Sequence, residues 1–186
     1  MPHVVELDVL KSGNCATNGC MMWANVLPLV AHQPGRWFAV STTEYEIERD
    51  ILIEAPVEVV WRTITEPEQM TLWFADKVDL VVEPGADGYM GFGEQGGPVV
   101  VEAVEPPTRF SFRWNHPAGE EATPSNSLLV EFTLAREGEH TRLRVTESAL
   151  GSLNRPDIDK PKYAEEHNHG WGDFLDRLAR LLAERT

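Results

Sequence analysis

The sequence predicts an α+β domain in which an antiparallel sheet packs against one long C-terminal helix. Several segments between residues 44 and 147 alternate apolar and polar residues with a period of two, which is typical of half-buried strands. Turns rich in glycine and proline separate these segments, and strands joined by tight turns pair antiparallel. The last segment instead repeats its apolar residues at helical spacing, and only this helix is large enough to cover one face of the sheet.

One strand and two short helices are predicted at the start of this domain. The apolar residues of the strand alternate with acidic ones; they are Tyr45, Ile47, Ile51 and Ile53. Ala55-Pro56 ends the strand, and proline suits the first position of a helix. The first helix has its apolar stripe at helical spacing, on Val57, Val60, Trp61 and Ile64. Glu66-Pro67 then starts a second helix with Met70, Trp73 and Phe74 on one side.

A run of strands follows, and the chain ends in the long helix. The predicted strands cover residues 78–82, 89–94, 99–105, 110–114, 128–134 and 143–145, with turns at 84–88, 96–98 and 138. Residues 116–126 read as a polar loop, and residues 149–160 as a connector rich in Asp, Asn and Pro. The helix is indicated by its apolar spacing, on Trp171, Phe174, Leu175, Leu178, Leu181 and Leu182.

Charge and cysteine content separate the first 40 residues from the rest. The 186 residues carry 16 basic and 30 acidic side chains, a net charge of −14 that argues against binding to nucleic acids or anionic membranes. Residues 1–40 have no net charge but contain both cysteines, Cys15 and Cys20. We therefore expect a weakly ordered extension over residues 1–40 and a folded domain over residues 41–186. The absence of cysteine from the domain favours a reducing cytoplasm.

The extension has no clear targeting signal. Its apolar stretch, residues 21–31, is too short to span a membrane, and it is interrupted by Asn25 and Pro28. The pattern also lacks the basic region and cleavage site of a signal peptide. It is open whether residues 1–40 form an ordered extension, a mobile tail or sequence upstream of the true start, since Met21 and Met22 are alternative initiators. Two unpaired thiols are expected here rather than half of a zinc site.

Four motifs, in order, resemble one protein family. They are Ile53–Arg62 with Thr65–Glu68 and Leu72–Phe74, then Val104–Trp114, then Thr141–Glu147, and last His167–Leu175. Together they resemble the SRPBCC superfamily, and more closely the activator-of-heat-shock-protein-90-ATPase homologues. The resemblance covers residues 44–184. It implies a helix-grip fold, in which a curved antiparallel sheet wraps around the C-terminal helix and leaves a cavity between them.

The cavity is expected to have an apolar wall. The candidate ligand-binding residues are those whose position on a strand or helix faces inward: Trp73, Phe74, Met90, Phe92, Phe112, Trp114, Phe132 and Trp171, together with His167 from the last motif. Aromatic residues at this spacing also suit an ordinary core. The glycines between Tyr89 and Gly97 remove side-chain volume, which favours a pocket in that region.

Polar residues within apolar patterns are the other candidates. Arg49 and Glu94 both fall on an apolar position of a strand; Arg49 is expected in water at a strand end or at a register slip, whereas Glu94 could also stand at a pocket mouth. His167 is expected at a helix N-terminus as a cap or surface residue. If the protein is an enzyme, His167, Glu94 and Arg113 are the candidates for acid–base work. No metal site and no cofactor is predicted.

Three functions fit these observations. The first is binding of a small apolar or amphipathic molecule in the cavity. The second is an enzyme similar to aromatic polyketide cyclases, in which the cavity folds a reactive chain. The third is a chaperone-associated adaptor that meets a protein partner through its acidic surface, although 40 residues are too few for the chaperone-binding domain of the eukaryotic co-chaperone. The sequence leaves open whether any reaction is catalysed.

Overall fold

A computed structural model describes residues 45–185. Its strands are β1 (Ile47–Ile53), β2 (Lys77–Leu80), β3 (Asp87–Phe92), β4 (Gln95–Glu105), β5 (Arg109–Trp114), β6 (Leu128–Glu137) and β7 (His140–Ser148). Its helices are α1 (Val57–Thr65), α2 (Pro67–Met70) and α3 (Lys160–Ala183), and a 3-10 turn spans Leu150–Ser152. The expectations about residues 1–40 lie outside the described residues.

The strands form one antiparallel sheet in the order β1-β7-β6-β5-β4-β3-β2. From β2 to β7, each strand pairs with its neighbour in sequence, as the tight turns predict. β1 instead pairs with β7 in the register Ile47↔Glu147 to Ile53↔Thr141. The helices α1 and α2 therefore carry the chain from one edge of the sheet to the other. A register shift between Val101 and Ala103 interrupts the pairing of β4 with β5.

The core lies between the inner face of the sheet and the helices. Four residues of α3 are buried against it, namely Trp171, Leu175, Leu178 and Leu182. From the short helices, Val60, Ile64 and Met70 are fully buried. The resulting layer of sheet, helices and inner aromatic residues confirms the predicted α+β, helix-grip architecture.

Two local expectations were wrong. Arg49 lies in the middle of β1, opposite Val145, and not in water at a strand end. It is half-buried, and its Nη2 donates a hydrogen bond to the carbonyl oxygen of Asn168 in α3, at 3.1 Å. The helix α3 begins at Lys160, so His167 lies two turns inside it and is not at its N-terminus.

Candidate functional site

A cavity of about 510 Å³ lies between the sheet and the first half of α3. Strands β3, β4 and β5 supply one wall, and α3 supplies the other from Tyr163 to Phe174. Much of the lining is apolar, with Met90, Phe92, Val99, Trp114, Trp171 and Phe174 contributing to it. The volume falls in the range of ligand pockets, about 300–1,000 Å³.

Glycine keeps this space open on both walls. Gly97 of β4 is opposite Met90 of β3 and lines the cavity, and a Cβ built there would meet no atom within 4 Å. Gly170 of α3 also lines the cavity, and its Cβ would only touch Phe174, at 3.9 Å. A side chain at Gly170 would therefore have room. Its absence leaves space in the cavity.

A buried carboxylate lies behind the cavity wall. Glu147 of β7 is fully buried, between Val130 of β6 and Ile47 of β1. Its Oε1 accepts a hydrogen bond from Nε1 of Trp114 at 2.7 Å, and its Oε2 accepts one from Nε1 of Trp171 at 3.0 Å. Nδ1 of His167 lies 2.9 Å from the same Oε2.

These contacts favour one tautomer of the His167 ring. An indole N–H can only donate, and an ionised carboxylate can only accept. With two indoles donating to Glu147, the arrangement suits a carboxylate, and Nδ1 of His167 then carries the hydrogen that it shares with Oε2. The lone pair of a neutral imidazole is left on Nε2, which has no hydrogen-bond partner among residues 45–185. Because Nδ1 is engaged with Glu147, Nε2 is the polar atom that His167 offers to the cavity.

A second polar group lies one helical turn earlier on α3. The ring of Tyr163 is 4.3 Å from the ring of His167, between centroids, and its hydroxyl oxygen accepts a hydrogen bond from Nδ2 of Asn115 at 3.1 Å. The guanidinium of Arg155 lies 3.9 Å from the centroid of the same ring. Burial raises the pKa of Tyr163 above its ordinary value, although Arg155 and Asn115 act in the opposite direction. Tyr163 is therefore a neutral phenol at neutral pH.

The structure divides the predicted ligand-binding residues into two groups. Met90, Phe92, Trp114, His167 and Trp171 line the cavity. The other four are outside its lining and are buried in the core: Trp73, Phe74, Phe112 and Phe132. Phe74 packs directly behind the cavity, because its ring centroid lies 5.4 Å from that of Trp171 and 5.7 Å from that of Trp114.

The three candidates for acid–base work are not brought together. His167 lines the cavity with its side chain 15% exposed, so it is neither a cap nor a surface residue. Glu94 is exposed in the turn between β3 and β4 and is outside the cavity lining. Arg113 alternates with the inward-facing Phe112 and Trp114, and its Nε forms an ion pair with Glu102 at 2.5 Å on the other face of the sheet.

Sequence reasoning missed Glu147, Tyr163, Asn115 and Arg155. Glu147 did carry a signal, since it continues the inward pattern of Thr141, Leu143 and Val145 along β7. A carboxylate on an apolar strand position is the same signal that singled out Arg49 and Glu94. Tyr163 is four residues before His167, which places both on one face of a helix. Asn115 and Arg155 belong to irregular segments, where no periodicity places a side chain.

Within residues 45–185, no group of His, Cys, Asp and Glu side chains is arranged to hold a metal ion. In the same part of the chain, no helix has the length and apolar character needed to span a membrane.

Solved structures show the same fold. DynU16, a protein in the dynemicin biosynthetic locus, is 29% identical over 74% of this chain, with a TM-score of 0.60. The match spans 47% of the DynU16 chain, just under half of its length. Protein MLL2253 from Mesorhizobium loti is 26% identical, with 76% of this chain and 98% of that chain covered and a TM-score of 0.63.

The Aha1 dimer from Colwellia psychrerythraea is similar in fold. It is 20% identical over 74% of this chain and 95% of its own, with a TM-score of 0.60. Comparison with curated proteins gives no match. A family model described as "Activator of Hsp90 ATPase homolog 1-like protein" matches residues 54–183, well over half of the chain. With the helix-grip fold and the motifs of its strands and last helix, the chain belongs to this family of the SRPBCC superfamily.

Proposed function

We propose that this protein binds a small apolar or amphipathic molecule in the cavity between the sheet and α3. The observation that carries the proposal is the cavity itself, about 510 Å³ with aromatic walls and with polar groups on α3. Sites for small molecules in proteins are usually of this kind, apolar with a few placed polar groups. The natural ligand is expected to be neutral or weakly polar, because the net charge of −14 disfavours anions.

The size of the cavity sets the affinity that we expect. A ligand of about 20 non-hydrogen atoms, at about 0.3 kcal/mol per atom, gains about 6 kcal/mol, which is a Kd of tens of micromolar. Tighter binding requires the polar groups of α3 to pair with the ligand. We place the activity in the cytoplasm, because the proposed domain contains no cysteine.

The test is a titration of the full-length protein with aromatic polyketides, sterols and fatty acids. Trp114 and Trp171 line the cavity, so a ligand that enters displaces water beside an indole and changes the intrinsic fluorescence. The same ligand raises the unfolding temperature, because it binds only the folded state. If no compound changes either signal, ligand binding is rejected. The chaperone-associated adaptor, which the family name supports, would then be the better hypothesis.

The second candidate is an enzyme similar to aromatic polyketide cyclases. It is favoured by the contact between His167 and Glu147, since a carboxylate that fixes one nitrogen of an imidazole leaves the other free to act as a base. The likeness to DynU16, a protein in a biosynthetic locus, also supports it. Glu147 would act here as a positioning residue, because it touches His167 and not the cavity.

A further inference from the structure

Two polar groups with complementary hydrogen-bonding capacity lie side by side on the cavity wall. The hydroxyl of Tyr163 accepts from Asn115, but its own hydrogen has no acceptor among residues 45–185. In the neutral tautomer with its hydrogen on Nδ1, Nε2 of His167 has a lone pair, and it has no donor in the same part of the chain. Both side chains line the cavity, and their rings are 4.3 Å apart, between centroids. A free donor and a free acceptor therefore face the same space.

The surroundings of each group suit a transfer of charge. Glu147 holds Nδ1 of His167 and stabilises the imidazolium that forms when Nε2 takes a proton. Arg155 places its positive charge over the ring that carries this hydroxyl, 3.9 Å from the ring centroid. Asn115 fixes the hydroxyl oxygen by donating to it. The pair thus combines a base with a hydrogen-bond donor for an oxyanion.

We propose that the cavity takes an enolisable carbonyl compound, with its carbonyl oxygen at the Tyr163 hydroxyl and its α-hydrogen at Nε2 of His167, and that the pair exchanges this hydrogen with water. The inference rests on the proposed function, since it requires a ligand in the same cavity. The apolar part of the compound packs on Phe92, Trp114 and Trp171. A compound without the carbonyl has no partner for the Tyr163 hydroxyl and binds less well.

The proposed step is balanced within the site. Nε2 of His167 takes the α-hydrogen as a proton, and the electrons of the C–H bond form a carbon–carbon double bond. The π electrons of the carbonyl move to its oxygen, where the negative charge accepts a hydrogen bond from Tyr163. The imidazolium exchanges its proton with water, and the reverse step returns a solvent hydrogen to the carbon. No oxidant, reductant or metal is required.

The experiment uses 2-acetylnaphthalene as probe and the full-length protein in D₂O. Binding is followed by tryptophan fluorescence, and deuterium in the methyl group of the probe is followed by proton NMR. We expect exchange at least about 100-fold faster than in buffer alone, saturating with the probe at the concentration at which fluorescence saturates. In the matched compound 2-ethylnaphthalene, which lacks the carbonyl, weaker binding is expected.

Two variants separate the roles of the pair, each with a matched control on the same protein. His167→Asn keeps a donor near the position of Nδ1 but removes Nε2, and we expect exchange to fall by about 100-fold. Tyr163→Phe keeps the ring against Arg155 but removes the hydroxyl, and exchange is expected to fall by about tenfold. The controls are His169→Asn, whose side chain is 83% exposed, and Tyr89→Phe outside the cavity; both should exchange as the wild type does.

The outcomes distinguish this inference from the proposed function. If the probe binds but its methyl group exchanges no faster than in buffer, the inference is overturned and ligand binding stands. The same holds if 2-ethylnaphthalene binds as tightly as the ketone, or if Tyr163→Phe and His167→Asn both keep the wild-type rate. If neither naphthalene compound binds, and none of the polyketides, sterols and fatty acids does, the proposed function fails and the inference fails with it.

Discussion

Glu147 is a fully buried acidic residue whose neighbours in the adjacent strands are apolar. A carboxylate in such a place is tolerated only when its oxygens are hydrogen-bonded. Trp114, Trp171 and His167 provide these bonds, and the three residues come from β5 and α3. One carboxylate therefore connects the middle of the sheet to the helix that forms the far wall of the cavity.

Replacement of Glu147 by Gln should destabilise the fold. A glutamine has one acceptor oxygen and an NH₂ group, so at least one of the N–H donors would face another donor. We expect the free energy of unfolding to fall by about 1–3 kcal/mol, measured by denaturant titration. The matched control is Glu94→Gln in the exposed turn between β3 and β4, which should change it by less than about 0.5 kcal/mol. If Glu147→Gln lowers the free energy of unfolding no more than Glu94→Gln does, the hydrogen bonds of Glu147 contribute nothing to stability.

His116 gives the fold a pH dependence with a definite sign. The residue is buried and burial lowers its pKa, while the negative charges of Asp87 and Glu120 act in the opposite direction. A histidine with a lowered pKa binds its proton less well in the folded state, so its contribution to stability is complete above about pH 6.5 and decreases as the pH falls through its folded-state pKa.

We therefore expect His116→Gln to lose less stability than the wild type between pH 7.5 and pH 5. The free energy of unfolding of both proteins is measured at the two pH values. The contribution of all other titrating groups cancels when the change with pH in one protein is subtracted from the change in the other. His169→Gln is the matched control for the substitution itself, because it exchanges the same residue types at a side chain that is 83% exposed. Equal pH dependence in wild type and His116→Gln would mean that burial of His116 does not lower its affinity for a proton.

The helix α3 has two halves with different surroundings. From Trp171 onward its inner residues are buried, whereas none of residues 160–170 is. This explains why the sequence predicted the second half of the helix better than its beginning. A helix shows an apolar stripe in its sequence where it packs on a core. The first half of α3 faces an open cavity instead, so its sequence does not need such a stripe. The same cavity explains why Tyr163, on this half, was not predicted from the sequence.

Filling the cavity from α3 should separate binding from folding. Gly170→Leu places a side chain where Gly170 lines the cavity, and we expect the Kd of any cavity ligand to rise at least about tenfold. Gly172→Leu is the matched control, two residues along the same helix at a position outside the cavity lining, where a Cβ meets no atom within 4 Å. Binding is measured by tryptophan fluorescence with whichever probe the wild type binds.

Both glycine variants should fold, because leucine is a better helix former than glycine by roughly 0.5–1 kcal/mol. Their unfolding temperatures are therefore measured as a control. If Gly170→Leu unfolds at a temperature close to that of the wild type, its loss of binding is not caused by misfolding. Unchanged affinity in a folded Gly170→Leu protein would mean that the ligand sits elsewhere.

At the scale of the whole molecule, the sequence predicted the fold class and most of the sheet. Alternation and turns are local signals, and they are sufficient for strands that pair with their neighbours in sequence. The pairing of β1 with β7 is not local, and no local pattern in the sequence predicts it. The position of the cavity was harder to predict than the strand pairing. Trp73, Phe112 and Phe132 share the inward pattern of Trp114, but they are buried in the core and do not line the cavity. Which inner residues line it depends on how α1, α2 and α3 cross the sheet.

The domain boundary near residue 41 remains a prediction. The first strand, β1, begins at Ile47, and the family model begins at residue 54. We expect a protein that starts at Ser41 to fold alone, with an unfolding temperature within a few degrees of that of the full chain. The comparison is made by calorimetry at equal concentration. A fall that corresponds to several kcal/mol would show that residues 1–40 pack on the domain.

The uneven packing of α3 also bears on how the proposed ligand would enter the cavity. In the stretch of α3 that walls the cavity no residue before Trp171 is buried, and the bonds of His167 with Glu147 and of Arg49 with the Asn168 carbonyl hold it to the sheet. Two glycines, Gly170 and Gly172, lie where this stretch meets the buried half of the helix. A segment with few buried contacts opens at a smaller free energy than the rest of the fold. The amides of residues 164–169 should thus exchange with solvent faster than those of residues 175–182. If the ligand enters through the opened segment, the observed rate constant of binding will reach a plateau at high ligand concentration. The value of this plateau will be the rate constant for opening of the helix segment.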